Sequence, residues 1–206
     1  MNKMLKDKYM LNDSIVFTIF ATFIANFGLY SNNSLIIAGS KLLAPILGPI
    51  TYLLYDHITK KTFTILIKNI ILLIAIVLTV SYLLSHIIPH GEINLIKTMP
   101  ILDNENQKYK SIKLIHLYGF LISCVCGIIY ILTIYDGIQM NKGFMGELFF
   151  LIAVSLSLSL LPAIAACGIF LQQKKYKKAL NSFLLFIINI VGFLTGAFTC
   201  KQFVCS

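Results

Sequence analysis

Six long apolar runs separated by short polar breaks dominate the chain: Ser14 to Tyr30, Leu35 to Asp56, Phe63 to Leu84, Leu114 to Tyr135, Leu148 to Leu171 and Ala179 to Phe198. A helix needs about 20 apolar residues to span the roughly 30 Å hydrocarbon of a bilayer, and each run meets or approaches that length. Backbone polar groups in lipid must be paired internally, and the runs are too long and too evenly apolar for barrel strands. The pattern therefore predicts an all-α integral membrane protein, multi-pass, with about six transmembrane helices. The breaks are short except over 87–113, where HGEINLIKTMPILDNENQKYKSIK is polar and reads as a connector. The expected organisation is a single membrane domain over 1–206, with three helices in 1–86, the connector in 87–113 and three helices in 114–206.

The two halves resemble each other. LLAPILGPITYLLYDHITKK leads into ILIKNIILLI in the first, and SLLPAIAACGIFLQQKKYKK leads into LLFIINIVGFL in the second. In each, a proline (Pro45 or Pro162) interrupts an apolar run, a lysine cluster follows, and the next run carries one asparagine, Asn69 or Asn189. A duplicated unit of three spans places its second copy upside down in the membrane. The expectation is thus two inverted three-helix repeats, with helices 2 and 5 broken by proline, which removes a backbone donor and frees a carbonyl. Broken helices of this kind line midplane solute sites in many secondary transporters.

Composition sharpens the membrane reading. The chain is 58% hydrophobic and carries a formal charge of +9, and its 17 basic residues are all lysine. Clustered between apolar runs, these lysines fit membrane loops beside lipid headgroups better than a nucleic-acid surface. The absence of arginine also removes the usual bidentate clamp for phosphate or carboxylate. The expected partners are the lipid bilayer and further copies of the chain as a homo-oligomer, with no nucleic acid. Lys41 aside, the lysines divide evenly between the two sides of a six-span scheme, so the positive-inside rule assigns no orientation.

Lys41 is the sharpest single residue, because a charge at span depth costs at least ~2.5 to 3.5 kcal/mol on insertion scales. It marks a solute site, or it snorkels to the interface near Ser34. Around it, Pro45, Gly48, Pro49 and Pro162 would shape a site, and Asn69 and Asn189 would supply polarity. The plainer role for an intramembrane asparagine is an interhelical hydrogen bond, and Asn26, near a span end, fits that role too. His86 and His90 are separated by Pro89 at a span exit, so no metal is expected there. The chain holds no GxSxG, Walker or HExxH motif, and neither a cofactor nor enzymatic activity is expected. Five cysteines form no CxxC pair; most fall inside apolar runs, while Cys200 and Cys205 lie past the last span.

The run IANFGLYSNNSLIIAGSKLLAPILGPI resembles the signature of the domain of unknown function 389 family, hydrophobic membrane proteins without an assigned activity, with Gly39, Ala44, Pro45, Gly48 and Pro49 at matching positions. LLPAIAACGIFL is similar to a later element of that family at Pro162, Ala165 and Gly168, and Asn189 matches a further step. The resemblance runs from about Ser14 to Phe198. Lys41 stands where the family usually has an apolar residue, and Ala163 replaces the second proline of a Pro-Pro pair. The resemblance implies a polytopic membrane domain and supplies no reaction. The functional expectation is transport of a small solute or ion through a midplane site between the two broken helices; the alternative is a non-transporting membrane scaffold or assembly component.

Overall fold

A computed structural model describes residues 3–31, 33–43, 50, 60–88, 110–140 and 160–204. The described elements are all helices: α1 Lys3–Tyr30, α2 Ser34–Leu43, α3 Lys60–Ile87, α4 Lys110–Met140, α5 Leu160–Gln172 and α6 Tyr176–Val204. Two are long and apolar enough to cross a membrane, α3 over Phe63–Ile87 with mean hydropathy 2.6 and α6 over Tyr176–Phe203 with 2.2. The remaining apolar segments are shorter: Ser14–Tyr30, Ser34–Leu43, His116–Leu132 and Leu160–Gln172. Several helices outrun the apolar stretches that announce them, since lysine is a good helix former and carries α1, α3 and α4 into polar sequence. Likewise α6 continues to Val204, so Cys200 is a buried free thiol on that helix and not a loop residue beyond it. Cys205 lies outside the described residues.

Contacts between named residues fix the helix directions. Asn26 and Tyr30 of α1 meet Ser81 and Ser85 of α3, while Gly168 and Gln172 of α5 meet the same two serines. Residue numbers rise together along each pair, so α1, α3 and α5 run parallel. The same holds for α4 and α6, where Gly119 lies by Asn189 and Gly127 by Phe193 and Ala197. Short turns fold α2 back against α1 and α6 back against α5.

The centre of the bundle is α5, which packs against α1, α2, α3 and α6. Every residue from Leu160 to Phe170 is buried. Its small side chains, Ala163, Ala165, Ala166 and Gly168, let its neighbours come close. A Cβ on Gly168 would stand 2.8 Å from the Ser81 Cβ and 2.9 Å from the Leu78 carbonyl oxygen. By contrast, α4 packs chiefly on α6. Gly119, Ser123 and Gly127 recur every four residues along α4 and lie against Asn189, Gly192 and Phe193 of α6, where Gly192 and Gly196 form a GxxxG step. Backbones meet directly there, a Cβ on Gly192 falling 2.7 Å from the Phe120 carbonyl oxygen.

Both tight turns have local causes. The Asn33 Oδ1 accepts from the N–H groups of Leu35 at 3.0 Å and Ile36 at 3.4 Å, capping α2 as asparagine does at helix starts. After α5, the Lys175 N–H donates to the Phe170 carbonyl at 2.9 Å and the Lys174 N–H to that of Leu171 at 3.1 Å. This is the paired closure that ends a helix in a left-handed residue, here Lys174 at φ 58°.

Large apolar side chains cover the outside, and a polar minority is buried within an otherwise apolar core. On α1, Phe17, Phe20, Phe23 and Phe27 are exposed while Thr18, Thr22 and Asn26 are fully buried. On α3, Ile71 and Leu83 face outward and Ser81 and Ser85 inward.

Candidate functional site

Thr18, Thr22, Asn26, Ser81 and Ser85, more than half of the buried polar residues described, form one seam. Thr18, Thr22, Asn26 and Tyr30 recur every four residues, which places them on one face of α1. The Thr18 and Thr22 hydroxyls donate back to the carbonyls of Ser14 at 2.7 Å and Thr18 at 2.6 Å, so each satisfies itself within the helix. Asn26 reaches across: its Nδ2 donates to the Thr22 carbonyl at 2.8 Å and to the Ser81 Oγ of α3 at 2.9 Å. Among the described residues, the Asn26 Oδ1 has no hydrogen-bond partner, although the residue is 0% exposed. An unsatisfied buried acceptor costs about 1–3 kcal/mol, and a donor supplied from outside the chain would recover that cost.

One turn further along, three helices are tied together. The Tyr30 hydroxyl donates to the Ser85 Oγ at 2.8 Å, and the Ser85 Oγ donates to the Gln172 Oε1 of α5 at 2.9 Å. The Gln172 Nε2 lies 3.5 Å from the His86 Nδ1. The seam thus presents neutral oxygens and carboxamides, a chemistry suited to hydrogen bonding a small polar species. Among the described residues, no three His, Cys, Asp or Glu side chains gather where they could hold a metal.

The residues singled out from sequence are spread over three places. Lys41 is half-buried near the end of the described part of α2. Its neighbour Ser40 is fully buried and donates to the Ile37 carbonyl at 2.7 Å. Because α2 packs on α1 and α5, the segment leading to Pro45 and the helix holding Pro162 are neighbours. Pro45, Gly48 and Pro49 lie outside the described residues. Pro162 is buried in the first described turn of α5, which continues as helix to Gln172. Asn69 is half-buried on α3. Asn189 accepts a hydrogen bond from the Ser123 hydroxyl at 3.1 Å and is almost fully buried; it belongs to the α4–α6 contact, not to the α1–α3–α5 seam.

Asn26, Ser81, Ser85 and Gln172 were not picked out as site residues by sequence reasoning. Their signal was spacing: polar residues four apart on α1, with phenylalanines on the opposite face, and two serines four apart on α3.

A helical bundle with an apolar exterior and a polar internal seam is the class of protein this structure defines. The chain belongs to the DUF389 family, a domain of unknown function whose family model matches residues 42–195. That range takes in α3, α4, α5 and most of α6 and leaves α1 and nearly all of α2 outside it, narrower than the stretch over which the sequence resembles the family. Neither a curated protein nor a solved structure matches the chain.

Proposed function

We propose that this chain is a multi-pass membrane protein of six spans that moves a small polar solute or ion along the α1–α3–α5 seam, next to the contact of α2 with α5. The observation that carries this reading is an apolar exterior over a core in which hydroxyls and carboxamides are buried, with an Asn26 oxygen left without a partner among the described residues. A surface of exposed Phe, Ile and Leu on this scale suits lipid. Polar groups with an open valence in the interior suit a path for something that carries donors of its own.

Support for two inverted repeats comes from the helix pairing. In each half the first and third helices run parallel and share one Asn–Ser hydrogen bond, Asn26 with Ser81 and Asn189 with Ser123. In this reading Lys41, Pro45, Gly48, Pro49 and Pro162 border the path, and Asn69 lies on the α3 wall. The scaffold alternative draws on Asn189 and the glycine contacts of α4 with α6, which serve packing alone.

The test is a cysteine-accessibility scan in membranes on a background lacking the five native cysteines, covering 18–30, 36–56, 77–85 and 155–172. Labelling by water-borne reagents at seam-facing positions deep in α1 and α3 is the expected result. Silence everywhere except at helix ends removes the path and leaves the scaffold.

A further inference from the structure

The turn between α5 and α6 reads QQKKYKK, and the fold turns it into a basic end of the bundle. Lys174, Lys175 and Lys177 are exposed, and Tyr176 between them is 67% exposed. Since α4 runs parallel to α6, its first turn, opening at Lys110 and including Lys113, lies at the same end. The described acidic residues, Asp7 and Asp13 on α1 and Asp136 in the last turns of α4, lie toward the other end, where Lys3, Lys6, Lys8, Lys60, Lys61 and Lys201 stand with them. The segment 89–109 leaves from α3 and enters α4 at the basic end. By sequence alone that segment carries three acids, Glu92, Asp103 and Glu105, and two lysines, Lys97 and Lys108.

We propose that this end is a docking surface for anionic lipid headgroups. This rests on the membrane placement proposed above and adds a lipid class to it. Charge complementarity is one argument: clustered lysines beside a span attract anionic headgroups, each adding to the attraction. The second argument is the apolar flank. Leu171, Leu180 and Phe183 are exposed directly beside the lysines, so the ammonium groups stand at the boundary where acyl chains give way to headgroups, with lysine stems lying along apolar surface. Tyr176 is the side chain that favours this boundary. An acidic soluble partner would not require that flank.

The chain contains no tryptophan, so Tyr176→Trp creates a single fluorescent reporter at the centre of the turn. The variant is reconstituted in phosphatidylcholine bilayers containing one-tenth of either brominated phosphatidylglycerol or brominated phosphatidylcholine. The anionic quencher is expected to be at least about threefold more effective, with the difference shrinking at high salt. Changing Lys174, Lys175, Lys177 and Lys178 to Gln is expected to abolish the preference, and changing them to Arg to keep it. Equal quenching by both lipids overturns the proposal and assigns the lysines to the acids of 89–109 or to an acidic partner in water. Quenching by neither lipid overturns the membrane placement of this end, a separate failure.

Discussion

Asn26 of α1 and Ser81 of α3 are joined by a hydrogen bond of 2.9 Å at a point where Gly168 of α5 presses against Ser81. Three parallel helices therefore meet around one carboxamide whose nitrogen is satisfied and whose oxygen has no partner among the described residues. Ser81→Ala removes the acceptor and is expected to cost about 1 kcal/mol, the scale of interhelical hydrogen bonds in membranes. Asn26→Leu also removes the orphaned oxygen, so it is expected to be nearly neutral, and the double variant no less stable than Ser81→Ala alone. Thermal unfolding of the four proteins in detergent checks the cycle. In proteoliposomes, Asn26→Leu is expected to abolish any solute flux that the wild type supports.

Gly196 offers a test of packing without polarity. A Cβ there would collide with the backbone of Cys124, and one on Gly127 with the Phe193 carbonyl. Backbone cannot yield as a flexible side chain does, so Gly196→Val is expected to destabilise the fold by about 1–3 kcal/mol or more and to loosen α4 from α6. Gly39→Ala is the control, since among the described residues nothing lies within 4 Å of the added carbon. Proteolytic release of fragments containing α4 would report the difference.

Helix positions were legible in the sequence because hydropathy in long runs tracks which segments become helices. Pairing was not, because in an apolar chain the outward and inward faces are both hydrophobic and period alone does not separate them. Asn189 shows the consequence. Distance from a proline matched it to Asn69 as an equivalent position, and that match held no sign of Ser123 of α4, the residue that bonds it. Asn26 shows the reverse case: placed near a span end by counting, it is among the most buried polar residues because α5 covers it along with α3. Lys41 was conspicuous by charge alone, and it stands half-buried on α2.

Ser85 holds two bonds to two helices, accepting from Tyr30 and donating to Gln172. Ser85→Ala strands both partners at once, whereas Tyr30→Phe removes one bond and leaves Ser85 free to keep the other. The expected order of stability is wild type, then Tyr30→Phe, then Ser85→Ala, with the last losing about 1–2 kcal/mol. Adding Tyr30→Phe to Ser85→Ala should cost little more, a coupling that denaturant titration of the four proteins reads directly.

Lys174 occupies the left-handed position that closes α5, with φ 58°. A side chain there crowds the following carbonyl, which glycine avoids, and left-handed backbone costs an L-residue roughly 1–2 kcal/mol. The hydrogen bonds that define the turn come from backbone N–H groups of Lys174 and Lys175 and survive any side-chain change. Lys174→Gly is therefore expected to raise stability, by about 1 kcal/mol once the extra freedom of glycine in the unfolded chain is set against the relieved strain. Lys174→Ala removes the charge and keeps the strain, so it should leave stability close to wild type. If both variants gain equally in thermal unfolding, repulsion among the clustered lysines, and not backbone geometry, is what strains this turn.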